Sequence, residues 1–160
     1  MRTAASTRLT SMQSKILIVD DNPDMIRLMG RILSSMGQLR FAELMEQLTL
    51  GRPVLVSPSM SGGYSLPLVA RHPDKLCGFV AVAPVRISRY EPELVGNQLP
   101  TLALWGSDDR IVPLEQAERL VRALPNARLV VLEDAGHACY LQATAEFHRH
   151  LIQFVAACTV

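Results

Sequence analysis

Apolar residues along the chain fall into two alternating patterns. Five short continuous runs, at 15–19, 53–57, 79–83, 101–105 and 128–132, are each flanked by turn-forming or polar residues. Runs of this length suit strands covered on both faces, as in a parallel sheet. Between them the period becomes that of a helix. Asn22 can cap a helix with Pro23 at its first position, and Met25, Ile26, Met29, Ile32, Leu33 and Met36 then form an apolar stripe that Gly37 ends. Residues 41–50, stopped by Gly51, read as a second helix, and a third starts just after Ser59. A fourth, 113–124, gathers Leu114, Ala117, Leu120, Val121 and Leu124 on one face; the last, 143–157, uses Phe147, Leu151, Phe154 and Val155. This alternation predicts a single doubly wound α/β domain over 14–160, with a mostly parallel sheet of about five strands, flavodoxin-like in size. The stretch 84–100, with Arg86, Tyr90, Pro92 and Gly96, shows neither period and reads as a long irregular loop of the lid or binding type.

Composition supports this and narrows the function classes. A chain of 160 residues has room for one compact domain but not two of full size. With 49% apolar and 19% charged residues it can form a core. A net charge of +1, from 16 basic and 15 acidic residues, gives no long-range attraction to nucleic acid or an anionic membrane. Cys77, Cys139 and Cys158 are widely spaced, which fits neither a disulfide framework nor a zinc site and suggests a reducing compartment. Residues 1–13 are rich in Ser and Thr, carry Arg2 and Arg8, and lack the apolar stretch of a signal peptide, so they read as a disordered leader. No apolar run is long enough to span a membrane. The expectation is a cytoplasmic protein.

The chemistry concentrates at three strand ends. Val54-Leu55-Val56-Ser57-Pro58-Ser59-Met60-Ser61-Gly62-Gly63 runs from strand to helix through a turn of small residues. A nucleophile elbow needs such a turn, because the central serine is held in a backbone conformation that only small neighbours two residues away tolerate. Ser59 would project at a helix N-terminus, where the Met60 amide can donate to an oxyanion. Trp105-Gly106-Ser107-Asp108-Asp109 follows a later strand, and Glu133-Asp134-Ala135-Gly136-His137 follows the final one. The order serine, acid, histidine is that of α/β-hydrolase triads, and all three positions lie at C-terminal strand ends. His148 and His150, two apart on one helix, face differently and are poor metal ligands. Cys139 reads as a structural thiol.

From about Ala42 to Val155 the sequence resembles an α/β-hydrolase from its third helix to its last. It is similar to the small serine hydrolases grouped with α/β-hydrolase domain-containing protein fourteen. The residues that carry the likeness are Ser57-Pro58-Ser59-Met60-Ser61-Gly62-Gly63-Tyr64-Ser65-Leu66-Pro67, Gly78-Phe79-Val80 with Ala83-Pro84, Gly106-Ser107-Asp108-Asp109, and Ala135-Gly136-His137-Ala138-Cys139-Tyr140-Leu141. The resemblance implies Ser59 as nucleophile, His137 as base and Asp109 as the orienting acid. It also implies ester hydrolysis or acyl transfer on small acyl esters through an acyl-enzyme, without a cofactor.

The front of a hydrolase, with its loop supplying the second oxyanion donor, has no counterpart in the sequence. Lys15-Ile16-Leu17-Ile18-Val19-Asp20-Asp21-Asn22-Pro23-Asp24 instead resembles the first strand and helix of a response-regulator receiver, as far as about Arg40, so the chain reads as a chimera joined at 38–42. In receivers the paired acids help bind magnesium. Asp20 and Asp21 alone are weak metal candidates, since a hard cation wants more oxygen ligands, and no metal site is expected. A strand at 15–19 beside 53–57 would put Asp20, Asp21 and Asn22 near Ser59, where the amide of Asp21 or Asn22 could serve as second oxyanion donor. Three functions follow: a serine esterase or acyltransferase; a catalytically inactive chimeric scaffold; or a receiver-like module responding to magnesium or phosphate. The expected partner is a small acyl ester, with no nucleic acid or membrane, and an open sheet edge could support a homo-oligomer.

Overall fold

The structure, a computed structural model, describes residues 16–18 and 51–158. The leader 1–13, the helices read at 22–36 and 41–50, and Asp20, Asp21 and Asn22 lie outside the described residues. So does the receiver-like segment 14–41, apart from 16–18.

The apolar runs become strands: β1 (Ile16–Ile18), β2 (Val54–Pro58), β3 (Gly78–Val82), β4 (Thr101–Gly106) and β5 (Ala127–Leu132). All neighbouring pairs are parallel and the order is sequential, β1-β2-β3-β4-β5. Every residue of β3 and β4 is buried, which is why these two segments carry no polar alternation. The helices are α1 (Gly62–Arg71), α2 (Ile87–Leu94), α3 (Leu114–Ala123), α4 (Cys139–Gln142) and α5 (Thr144–Cys158).

Two apolar layers sandwich the sheet. Leu55, Phe79, Ala81, Ala103 and Trp105 pack with Leu66 and Val69 of α1, Ile87, Tyr90 and Leu94 of α2, and Ala117 and Leu120 of α3. The opposite sheet face, Val54, Val56, Val80, Val82, Leu102, Leu104 and Leu132, is covered by Phe147, Leu151, Phe154 and Val155 of α5. The doubly wound expectation is corrected here. A doubly wound sheet reverses strand order at a switch point, whereas β1 to β5 progress in one direction. Right-handed crossovers between successive strands put each connecting helix on the same face, so α1, α2 and α3 share one layer. Among the described residues the second layer comes from α5, which returns beneath the sheet after its last strand.

The reading of 84–100 as an irregular loop is also corrected. Residues 87–94 form α2 despite Pro92. The spacing of buried Ile87, Tyr90 and Leu94 puts three apolar side chains on one helical face, and their burial outweighs the backbone hydrogen bond that proline cannot make. Arg119 of α3 donates to Glu91 of α2 at 2.6 and 2.8 Å, joining the two helices at the surface. This segment is part of the core layer and not a lid. Among the described residues, no helix is long and apolar enough to cross a membrane.

Candidate active site

The strand ends build the site. At the end of β2 the chain turns through a 3-10 segment, Ser59–Ser61, directly into α1. Ser59 has φ +44°, a left-handed conformation that side chains disfavour. The turn is held by its surroundings. The Ser59 carbonyl accepts a hydrogen bond from the Val85 amide at 2.9 Å, and Gly62 is so close to the next loop that a Cβ there would lie 2.5 Å from the Val85 oxygen and 2.8 Å from Pro84 Cβ. The serines that stand where an elbow usually carries glycine are both buried. Ser57 is accommodated by a 2.6 Å hydrogen bond between its hydroxyl and that of Ser65. The Ser61 hydroxyl has no partner among the described residues.

Asp109 and His137 come from two loops fastened to each other. After β4, the Ser107 amide donates to the Leu132 carbonyl and the Asp108 amide to the Ala135 carbonyl, both at 2.9 Å. In return, the Asp134 amide donates to Ser107 Oγ at 3.0 Å. Gly106 makes this approach feasible, since a Cβ there would collide with the carbonyl oxygens of Ala135 and Gly136. Asp134 turns the histidine loop at φ +55°, and the Gly136 amide donates to Gln142 Oε1 at 2.5 Å.

Of the two adjacent acids, Asp108 is exposed and Asp109 has only 1% of its side chain accessible. Asp109 Oδ1 accepts from the Ile111 and Val112 amides at 2.8 and 2.9 Å, and Trp105 Nε1 donates to the Val112 carbonyl at 2.8 Å, pinning the far end of that loop to the core. Asp109 Oδ2 faces His137 Nδ1 at 2.8 Å, and His137 Nε2 faces Ser59 Oγ at 2.8 Å. With Nδ1–H donating to the carboxylate, Nε2 is the acceptor of the serine hydroxyl proton. The three residues singled out in the sequence thus form one continuous hydrogen-bonded chain. Met60 follows Ser59 at the start of the 3-10 turn, where a backbone amide is free of intrahelical bonding. Cys139 is buried two residues past His137. Its thiol is pushed up to about 11, first by burial and then by the negative charge of Asp109, which keeps it protonated and unreactive at neutral pH.

Residues 85–144 match the family model of the alpha/beta hydrolase fold. The chain is 42% identical over 113 residues to protein ABHD14A of Rattus norvegicus, an alignment covering 70% of this chain and 46% of the relative. It is 36% identical over 116 residues to ABHD14B of Homo sapiens, named as a candidate protein-lysine deacylase, covering 71% of this chain and 54% of that one. The crystal structure of a CIB-like hydrolase from Thermoplasma acidophilum superposes with a TM-score of 0.67 at 27% identity, over 71% of this chain and 55% of the other. The described residues have the α/β-hydrolase fold.

The chain spans about half the length of the curated relatives it matches. Within the hydrolase fold, the sequence alone did not identify the residues that hold the Ser59–His137–Asp109 chain rather than form it: Gly62, Gly106, Asp134, and the Ser57–Ser65 pair. Gly106 carried a signal, a glycine at the end of an otherwise apolar strand, which marks a close backbone approach. Ser65 carried none, because its partner is eight residues away across the turn.

Proposed function

We propose that this α/β-hydrolase acts as a serine hydrolase, forming an acyl-enzyme on Ser59 with small acyl esters. The observation that carries the reading is the unbroken chain from Ser59 Oγ through His137 to Asp109, with both links at 2.8 Å. A serine hydroxyl is a weak nucleophile until a base takes its proton. In the proposed reaction Ser59 Oγ attacks the acyl carbon as its proton passes to His137 Nε2, and the carbonyl electron pair moves onto oxygen. Asp109, fixed by two backbone amides, holds the imidazole and stabilises the imidazolium that forms. The Met60 amide donates to the oxyanion, a contribution of about 3–4 kcal/mol where one such donor has been removed in other enzymes. The intermediate collapses as the leaving group departs with the proton from His137. Water then repeats the sequence, releasing the acid and restoring Ser59; an acceptor amine or alcohol in its place gives acyl transfer. The name of the human relative extends the substrate class to acyl-lysine amides. The Asp21 and Asn22 amides remain the proposed second oxyanion donors.

The test is intact-mass analysis after treatment with a fluorophosphonate. A single adduct that is lost in Ser59→Ala is expected. No adduct on folded protein would favour the inactive-scaffold reading.

A further inference from the structure

Four residues other than glycine have positive φ among those described: Ser59, Ala83, Arg86 and Asp134. All four lie in loops at the C-terminal edge of the sheet, following β2, β3 or β5. Strained backbone of this kind persists where the surrounding structure imposes it and clusters at working sites. Two of the four have a role in the triad: Ser59 is the proposed nucleophile and Asp134 turns the loop that carries His137. Ala83 and Arg86 lie in the loop after β3, which supplies no triad residue.

That loop touches the nucleophile directly. Val85 donates its amide to the Ser59 carbonyl, and Pro84 and Val85 press against Gly62. Arg86 is therefore one residue from a hydrogen bond to the nucleophile's own backbone. At φ +69° and ψ +19° it turns the chain into α2, and its exposed side chain is directed back over the first turn of α1. A Cβ on Gly63 would lie 3.5 Å from Arg86 Nη1 and 3.6 Å from Cδ and Cζ. The guanidinium thus lies along a glycine that leaves it room, four residues after Ser59. The neighbouring Arg89 instead lies over the Tyr90 ring at 5.6 Å. Arg71, Arg119 and Arg149 are each paired with a glutamate, whereas no described carboxylate pairs with Arg86. A guanidinium that no described carboxylate neutralises presents a planar fork of donors suited to carboxylate or phosphate oxygens.

We infer that Arg86 is a specificity-determining residue that receives an anionic group of the substrate beside Ser59. Resting on the serine-hydrolase reading, this narrows the substrate class to acyl esters or amides bearing a carboxylate or phosphate. The anion can reside on the acyl part or on the leaving group, and the chemistry recognised at Arg86 is the same.

Two matched pairs of esters separate those sources. Mono-4-nitrophenyl adipate against 4-nitrophenyl hexanoate places the charge on the acyl side, and 4-carboxyphenyl butyrate against phenyl butyrate places it on the leaving group. In one pair the native protein should prefer the anionic ester in kcat/KM, chiefly through KM, and the preference should shrink as salt is raised. Arg86→Met keeps an unbranched stem at the same backbone angles, so no new strain arises. It should cut that anionic-to-neutral ratio about tenfold, the scale of one charged hydrogen bond, while Arg86→Lys should retain part of it. Ratios within twofold of the native protein's in both pairs would overturn the inference.

A second measurement does not depend on turnover. In Ser59→Ala protein, the Arg86 Nε–H resonance should shift saturably on titration with monomethyl adipate or 4-hydroxybenzoate, and not with dimethyl adipate. Absence of that shift with both anions would also overturn the inference. If Ser59 proves inert to fluorophosphonate while Arg86 still shifts, the catalytic reading fails and the anion site stands. If Ser59 reacts and the ratios do not change, the catalytic reading stands and the anion site fails.

Discussion

Gly106 offers a direct test of how the acid and base loops are held together. Replacing it with alanine would put a Cβ 2.6 Å from the Ala135 carbonyl carbon, and closer still to the carbonyl oxygens of Ala135 and Gly136. These are backbone atoms, so no flexible side chain can swing aside. The loop carrying His137 must move outward by ~1 Å, and the hydrogen bond from the Asp108 amide to Ala135 stretches with it. Overpacking of this kind costs about 1–3 kcal/mol, which for a domain of this size lowers Tm by about 2–12 °C. The functional effect is larger in proportion, since a ~1 Å misplacement can cost about a hundredfold in rate. The assay is the second-order rate of fluorophosphonate labelling at Ser59, measured well below the Tm and set beside thermal unfolding. Gly63→Ala is the stability control: its Cβ would meet Arg86 only at ordinary contact distance, 3.5 Å, and replacing glycine by alanine in a helix stabilises by up to about 1 kcal/mol. Gly106→Ala with native Tm and a labelling rate within threefold of native would refute the argument.

Asp109→Asn should reduce Ser59 labelling or ester turnover by about 10³–10⁴-fold, because an amide can present its donor to Nδ1 and fix the wrong tautomer; the check is the labelling rate on protein shown to be folded by circular dichroism. Ser61→Ala should raise Tm by a few degrees, since it removes a buried hydroxyl that has no partner among the described residues and whose desolvation costs about 1–3 kcal/mol; an unchanged or lower Tm in calorimetry counts against it. Alkaline pH should destabilise the fold. Burial raises the Cys139 and Cys158 thiols from 9.0 to about 11, so between those values the unfolded state loses protons that the folded state keeps. Stability then falls as pH rises from about 9 to 11. Denaturant midpoints measured across that window should decline, and Cys139→Ala with Cys158→Ser should flatten the decline.

The sequence by itself determined which segments become strands, because a strand buried on both faces must be apolar throughout. The runs at 79–83 and 101–105 match β3 and β4 to within a residue at each end. It also determined the order of Ser59, Asp109 and His137 and their location at strand ends, since a parallel sheet sends every strand's C-terminus to one edge. The helix 114–123 was legible from Leu114, Ala117, Leu120 and Val121, whose spacing leaves no other regular structure. Period failed at 87–94, where three apolar positions and an internal proline give too little signal for a helix that only its neighbours stabilise.

Tertiary structure decided the rest. Asp108 and Asp109 are chemically identical, and only the loop geometry buries one and exposes the other. Which face each helix covers depends on strand order, which local pattern does not encode, so the winding of the sheet could not be read in advance. The glycines at 62 and 106 matter because of atoms more than twenty residues away, at Val85 and Ala135. Arg86 looked like one more polar residue in a loop until the chain turned it, at positive φ, over Gly63 in the first turn of α1. Local propensity depends on neighbours within a few residues. The site is a relation between residues up to 78 positions apart, and only the packed sheet brings them within a hydrogen bond.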